Sequence, residues 1–166
     1  MRATKKIKTT KDLEKTIEAK IAERKAETRP ILTVSAGTCG QARGSLNVIE
    51  SLRTAIEKEN REEQVKIRVT GCHGFCEAEP NIIIYPHDIF YQKVEPKNSK
   101  DILNKTVINN QVIDELLYTD PSSGEKFSQE SSISFYKKQK RIILGDNALI
   151  DPLDINDYFS IGGYLS

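Results

Sequence analysis

Three cysteines, each inside a glycine-containing turn, constrain this chain more than any other feature. Cys39 lies in the stretch 37–44, and Cys72 and Cys76 lie in the sequence GCHGFC. Glycine lets the backbone adopt positive φ and approach a bulky group closely, so two thiols four positions apart can face one centre. Thiolates are preferred ligands of iron–sulfur clusters and of zinc. An iron–sulfur cluster usually needs four thiolates, with histidine as an occasional replacement, whereas this chain has three cysteines.

The composition is typical of one folded domain with extensions. The chain has 166 residues, of which 37% are hydrophobic, and this is enough to bury a core without disulfides. A formal net charge of +1 gives no field that would attract nucleic acid or a membrane surface. No apolar run approaches the roughly 20 residues of a transmembrane helix, and the charged N-terminus does not resemble a signal peptide. Because an odd number of cysteines does not suit a secreted disulfide framework, we expect a cytoplasmic protein.

The first 29 residues form a basic segment. They carry ten Lys or Arg and five Asp or Glu, a balance of +5. Leu13, Ile17 and Ile21 recur every four residues, which predicts a helix over 11–25 with Thr10 as its N-cap. Two interpretations stay open: a solvated charged helix, or a docking arm for an acidic partner.

The middle of the chain has the pattern of an α/β domain with the element order β-α-β-β-β-α. Strands are predicted at 31–35, 65–69, 82–85 and 89–94, and helices at 45–59, 98–108 and 112–117. If the first two strands are parallel neighbours joined by the helix between them, their carboxyl ends meet at one edge of the sheet, where α/β folds place ligands. We therefore expect Cys39, Cys72 and Cys76 to converge there.

The composition of the sequence changes after residue 118. Residues 119–131 are polar and rich in serine, which predicts a linker. The tail contains one strand candidate, Arg141–Leu144, and a capped helical turn over 151–159.

Two stretches of this sequence resemble a known family. GCHGFCE (71–77), followed by Pro80 and by Tyr85-Pro86, is similar to the second cysteine pair and hairpin of an N-terminal ferredoxin-like extension. QKRIIL (139–144), followed by Asp151-Pro152 and by GGY (162–164), is similar to the junction into a flavoprotein domain. The resemblance, which covers about 30–166, is to the NADH-binding flavoprotein subunits of bacterial NADH dehydrogenases and electron-bifurcating hydrogenases.

The resemblance implies a thioredoxin-like 2Fe–2S ferredoxin fold, with a central mixed sheet flanked by helices. It implies three regions: a charged helical arm over 1–29, the ferredoxin domain over 30–118, and over 119–166 a linker with the start of a junction. FMN and NADH would bind in a flavoprotein domain beyond this sequence. The implied partners are other subunits or domains of a flavin and iron–sulfur oxidoreductase complex, without nucleic acid, and a homodimer stays open.

The resemblance also implies a ligand set. Cys72 and Cys76 match the family's second pair. With Thr38 placed on the family's threonine, the first pair falls on Ser35 and Gly40, and Cys39 lies one residue before the second of these positions. The fourth ligand could be Ser35, His73 or a residue from a partner chain. A zinc site of three cysteines and a histidine, or a fold that has lost its cluster, would also be compatible with these residues.

Two functions follow as hypotheses. In the first, Cys39, Cys72 and Cys76 hold a 2Fe–2S cluster that relays single electrons in an NADH-oxidising flavoprotein subunit. In the second, a cluster-free thioredoxin-like scaffold holds the subunits of the same redox complex together. The spacing Cys-x₃-Cys differs from the Cys-x-x-Cys pair of dithiol oxidoreductases. No nucleophile motif or phosphate loop stands out either, so we expect no catalysis from this chain alone.

Overall fold

The computed structural model describes residues 6–165, which form two compact units. The larger unit is Arg29–Ile150. The smaller unit combines the chain up to Thr28 with the chain from Asp151 onward. The first five residues of the predicted basic arm lie outside the described part of the chain. Within that part, no helix is both long enough and apolar enough to cross a membrane.

The larger unit is built on a four-stranded mixed sheet. Its strands are β1 (Ile31–Ser35), β2 (Lys66–Thr70), β3 (Ile82–Tyr85) and β4 (Ile89–Tyr91), in the order β2-β1-β3-β4. β1 and β2 are parallel, and the β1–β3 and β3–β4 pairs are antiparallel. The predicted fold class, an α/β mixed sheet flanked by helices, is thereby confirmed, as is the parallel pairing of the first two strands.

One face of this sheet is covered by helices. α2 (Thr38–Ala42) is short, whereas α3 (Ser45–Lys58) is amphipathic and buries one apolar stripe. α4 (Ser99–Asp101) continues as a π-helix over Ile102–Ile108. The core between these helices and the sheet includes Leu32, Val34, Val48, Ile49, Leu52, Ile56, Ile82, Ile84, Tyr91, Ile102 and Leu103.

Residues 118–150 cover the opposite face, so the structure differs here from the predicted linker. They form β5 (Tyr118–Thr119), β6 (Lys126–Phe127) and α5 (Ser134–Lys137). A hydrogen bond from the Phe90 backbone N–H to the carbonyl of Ser128, 2.8 Å long, fixes the segment to the edge of the sheet. The physical reason is burial, because this face would otherwise leave apolar side chains in water. The second core contains Phe75, Ala78, Ile83, Phe90, Ile133, Tyr136 and Ala148.

The strand predicted at Arg141–Leu144 is wrong. These residues form bends, and Ile142 and Ile143 are 83% and 89% exposed. A strand needs a partner edge for its backbone groups, and this segment pairs with neither sheet.

The smaller unit packs α1 (Thr10–Ala26) against α6 (Ile155–Ser160). Thr9, one residue before the predicted cap, closes the N-terminus of α1 in a reciprocal capping box with Asp12. Ile17 is the buried residue of α1. The guanidinium of Arg24 donates a 3.0 Å hydrogen bond to the hydroxyl of Ser160.

Candidate iron–sulfur site

The parallel pair of strands brings the cysteine segments to one edge of the sheet. β1 leads into the turn before α2, whose second residue is Cys39, and β2 leads directly into Gly71 and Cys72. The backbone N–H of Ala36 donates to the carbonyl of Thr70 at 2.9 Å, which continues the pairing beyond the strands. A β-carbon placed on Gly37 would lie 2.8 Å from Cβ of Cys72, so the two segments are as close as their backbones permit.

The three thiols are neighbours at this edge. Sγ of Cys72 and Sγ of Cys76 are 4.0 Å apart, and the backbone N–H of Gly74 donates to Sγ of Cys72 at 3.2 Å. A hydrogen bond with Cys39, followed by desolvation and the nearby Cys72 thiol, raises the pKa of Cys76 to about 11. Without a metal, this thiol is therefore protonated at neutral pH, and metal binding would release its proton.

The predicted residues thus meet in space, and all three cysteines are free thiols. Cys39 is exposed, whereas Cys72 and Cys76 are half-buried. The glycine-containing segment around Cys39 forms the first turn of α2. Because successive residues of a helix differ by about 100° in direction, the one-residue offset between Cys39 and Gly40 gives their side chains different surroundings.

The sulfur geometry fits two ligands of one tetrahedral metal ion. With metal–sulfur bonds of about 2.3 Å, as for zinc, two such thiolates lie about 3.8 Å apart, close to the 4.0 Å between Cys72 and Cys76. In residues 6–165, no three His, Cys, Asp or Glu side chains surround a single ion position. Cys72 and Cys76 are therefore spaced like two ligands of one metal ion.

His73 is held inside the protein by its own hydrogen bonds. It is fully buried, with Nε2 2.6 Å from the hydroxyl of Thr70 and Nδ1 3.0 Å from Oδ1 of Asn81. Burial lowers the pKa of His73 to about 4, so the ring is neutral near pH 7. Both nitrogens are engaged, which leaves neither of them free to act as the fourth ligand or to complete a zinc site.

The two positions that match the family's first cysteine pair are also occupied. The hydroxyl of Ser35, which is fully buried, donates to the carboxylate of Glu79 and lies 3.3 Å from the carbonyl oxygen of Gly71. A β-carbon on Gly40 would lie 2.7 Å from Oγ of Ser45 and 2.8 Å from the carbonyl oxygen of Ser35. A cysteine at Gly40 would not fit this packing, so Cys39 is the thiol that this turn can present.

Glu79 is a further buried group of the site that the sequence did not single out. It is 2% exposed and accepts hydrogen bonds from the hydroxyl of Ser35 and from the backbone N–H of Asn81. Desolvation raises its pKa, although these hydrogen bonds and the charge of Arg43 act in the opposite direction.

The segment 139–150 holds the backbone of the cysteine turn from outside. Nδ2 of Asn147 donates to the carbonyl of Cys72 at 2.9 Å, and Nη1 of Arg141 donates to the carbonyl of His73 at 3.4 Å. The Arg141 guanidinium also pairs with the Glu130 carboxylate at 3.4 Å. The sequence marked Arg141 only as part of the junction motif and of the predicted strand, and it gave no signal for Asn147.

An aromatic cluster in the second core holds the same turn in place. The ring of Phe75, between the two cysteines of the turn, stacks on Phe135 with centroids 4.3 Å apart and an interplanar angle of 9°. It also meets the edges of Tyr118 and Tyr136 at 5.2 and 5.6 Å. Phe75 is therefore an anchor of the turn in the second core.

Comparison with known proteins points to small ferredoxins. No protein-family model matches the chain. A "Ferredoxin, 2Fe-2S" from Clostridium pasteurianum is 23% identical over 75 residues, which cover 45% of this chain and 74% of that protein. A protein of the same description from Aquifex aeolicus is 27% identical over 82 residues, 49% of this chain and 73% of that protein.

Solved structures give the same answer for the fold. A crystal structure of the wild-type thioredoxin-like [2Fe-2S] ferredoxin from Aquifex aeolicus superposes with a TM-score of 0.52 at 19% identity, covering 57% of this chain and all of that one. A second structure of that ferredoxin gives 0.52 and covers 61% of this chain. The fold is thus that of a thioredoxin-like 2Fe–2S ferredoxin.

Proposed function

We propose that this chain is an electron-transfer module that holds a 2Fe–2S cluster at Cys39, Cys72 and Cys76. The observation that carries the proposal is the convergence of three free thiols at one exposed edge of a ferredoxin-type sheet, with Cys72 and Cys76 4.0 Å apart. Relatives described as 2Fe-2S ferredoxins support it. Free thiols also suit a reducing compartment, so a cytoplasmic location is part of the proposal.

Each residue of the site has a separate role in the proposal. When bound, a 2Fe–2S cluster takes up and releases one electron at a time. Cys72 and Cys76 would hold one iron, and Cys39 would hold the other. The backbone N–H of Gly74 donates to Sγ of Cys72, and hydrogen bonds to the ligating sulfurs are one of the factors that set the reduction potential. The exposed position of Cys39 keeps the electron path to a partner short.

The wider setting is an NADH-oxidising flavoprotein subunit, in which FMN and NADH bind outside this chain. It is supported by the similarity of 139–144 and 162–164 to that family's junction motif. The partners would then be other subunits or domains of the same complex. Quinone reduction, hydrogen-linked bifurcation and formate oxidation are the candidate parent reactions, and a homodimer stays open.

A basic and apolar surface beside the cysteine turn supports a partner contact there. Ile142 and Ile143 are exposed apolar residues, and Lys137, Lys138 and Lys140, just before them in the chain, are also exposed. No acidic residue interrupts 131–145. The end of this stretch lies near the cysteine turn, because a β-carbon placed on Gly74 would be 3.5 Å from Cδ1 of Leu144. Charge complementarity therefore favours an electron partner with an acidic rim.

This contact is tested by charge reversal. Lys138→Glu combined with Lys140→Glu should slow NADH-driven reduction of the chain by the FMN-carrying subunit, and most strongly at low ionic strength, because long-range attraction is screened by salt. Lys100→Glu, at an exposed position of α4, is the matched control and should leave the rate unchanged. Equal rates for all three proteins would remove this surface from the proposal.

The cluster-free scaffold remains the second candidate, and one observation favours it. The position that matches the family's first cysteine is Ser35, whose hydroxyl is bound to Glu79. A scaffold of this kind would still present the ferredoxin-type surface and the basic N-terminal arm to its partners.

The decisive experiment compares cysteine variants purified without oxygen. The wild-type chain should be brown, and dithionite should bleach it. Cys72→Ser and Cys76→Ser should each lose most of the iron, while circular dichroism stays unchanged because the thiols lie at the edge of the sheet. Iron that survives in both variants would overturn the site, and a colourless, folded wild-type protein with three reactive thiols would favour the scaffold.

A further inference from the structure

The candidate site offers one ligand fewer than a 2Fe–2S cluster needs. What we infer from this rests on the proposed function. Three thiols converge, but a 2Fe–2S cluster takes four ligands. Among the residues that the structure describes, no three His, Cys, Asp or Glu side chains form a group around a single ion position. The ring nitrogens of His73 are bound to Thr70 and Asn81, and the hydroxyl of Ser35 is bound to Glu79. The side chains of His73 and Ser35 are therefore already hydrogen-bonded and are not free to bind iron.

The open side of the site faces solvent. Cys39 is exposed, while the other two thiols are half-buried. Cys72 and Cys76, at 4.0 Å, form the pair suited to one metal ion. Cys39 also hydrogen-bonds to Cys76, so its exposure, rather than the sulfur spacing, identifies the Cys39 side as the open half of the centre.

A cation lies at the same edge. Arg43 ends α2, four residues after Cys39, and its guanidinium donates to the backbone carbonyl of Glu77 at 3.3 Å, one residue beyond Cys76. It thus spans the two cysteine segments. A guanidinium in this position favours an incoming ligand that carries a carboxylate in addition to its metal-binding atom.

We infer that the fourth ligand is a thiolate supplied from outside the chain, which binds beside the exposed Cys39 with Arg43 as its counter-ion. Both possible sources of this ligand provide a thiol. The thiol loses its proton to solvent as the iron–sulfur bond forms, and no electron is transferred. The thiolate can come from a small carboxylate-bearing thiol or from a cysteine of a second protein chain. The described residues favour the small thiol, because Cys39 is exposed at the surface and the Arg43 guanidinium, which also acts on the Glu79 carboxylate, lies at the same edge.

The test is anaerobic reconstitution of the full chain in a thiol-free reductant, followed by addition of glutathione or of β-mercaptoethanol. Native mass spectrometry should detect one glutathione for each cluster-bearing monomer. Glutathione should also slow bleaching of the visible absorbance several-fold compared with the thiol-free sample. A cluster found only in a dimer, with no added thiol, would assign the fourth ligand to a second chain.

Two variants separate this inference from its rivals. Arg43→Gln should weaken retention of glutathione several-fold while leaving β-mercaptoethanol, which has no carboxylate, unaffected. Ser35→Ala should retain the cluster if the fourth ligand is external. Circular dichroism of both variants confirms that the fold is intact.

The outcomes also separate the inference from the proposed function. A stable cluster in a monomer without added thiol, or a cluster lost in folded Ser35→Ala but retained in the wild type, would overturn the external ligand and leave the electron-transfer role standing. Failure to form any cluster under all these conditions would overturn both.

Discussion

The close approach of the two cysteine segments depends on Gly37. Its φ of −65° is accessible to any residue, so Gly37→Ala tests crowding alone. The added β-carbon would lie 2.8 Å from Cβ and 3.0 Å from the backbone nitrogen of Cys72, whereas carbon atoms pack at about 3.5–4.0 Å. The segments would have to separate by about 1 Å. Overpacking of this kind costs about 1–3 kcal/mol, or about 2–12 °C in Tm for a chain of this length.

The assay for Gly37→Ala combines thermal unfolding of the metal-free chain with iron content after reconstitution. We expect a lower Tm and a substantial loss of iron, because separation of Cys39 from Cys72 opens the site. Gly71→Ala is the matched control, since its β-carbon would meet only the side chain of Asn147, with Nδ2 at 3.4 Å, and should change neither quantity much. A Gly37→Ala protein with wild-type Tm and iron content would refute the account of how the segments meet.

Three further predictions follow from the surroundings of the cysteine turn. Because His73 has a pKa of about 4 in the fold and about 6.5 when unfolded, the unfolded chain binds the extra proton first. The metal-free protein should therefore lose roughly 3 kcal/mol as pH falls from 6.5 to 4, and His73→Gln, compared by urea titration, should lack this loss. Phe75→Ala should lower the free energy of unfolding by about 3–5 kcal/mol in the same titration, and Phe75→Leu should lower it clearly less. An unchanged stability of Phe75→Ala would show that the ring does not anchor the turn. Asn147→Ala, which removes the hydrogen bond to Cys72, should shift the reduction potential of the cluster and speed its loss, whereas an unchanged potential and lifetime would make this contact incidental.

The sheet could be predicted from the sequence because its strands carry strong local signals. The short apolar runs at 31–35 and 82–85 are bounded by Pro, Gly or Asn, and the helix between the first two strands has a clear apolar stripe. Those two facts were sufficient to place Cys39 and Cys72 at one edge. The second strand begins at Lys66 rather than at residue 65, a shift that leaves the pairing unchanged.

The coverage of the second face could not be predicted, because it depends on contacts far apart in the chain. Residues 119–131 are polar along the sequence, yet Phe127 and the nearby Ile133 pack against a sheet face built from Ile83 and Phe90. Conversely, Arg141–Leu144 has the residues of a strand but finds no edge to pair with. The local composition shows neither that 119–131 packs on the sheet nor that 141–144 lacks a partner strand.

The details of the site were hidden for a related reason. A histidine between two cysteines suggests a ligand, and only the fold reveals that Thr70 and Asn81 engage both of its nitrogens. Likewise, the offset between Cys39 and the matched position at Gly40 became interpretable only when the turn proved to be helical and Gly40 proved to be packed against Ser45.

The most direct test of the account is the iron and acid-labile sulfide content of the anaerobically purified chain, measured with its visible spectrum before and after dithionite. The account predicts about two irons and two sulfides per chain, as a 2Fe–2S cluster requires, and an absorbance that dithionite bleaches. A folded chain with neither iron nor sulfide, which also fails to take them up on reconstitution, would contradict it.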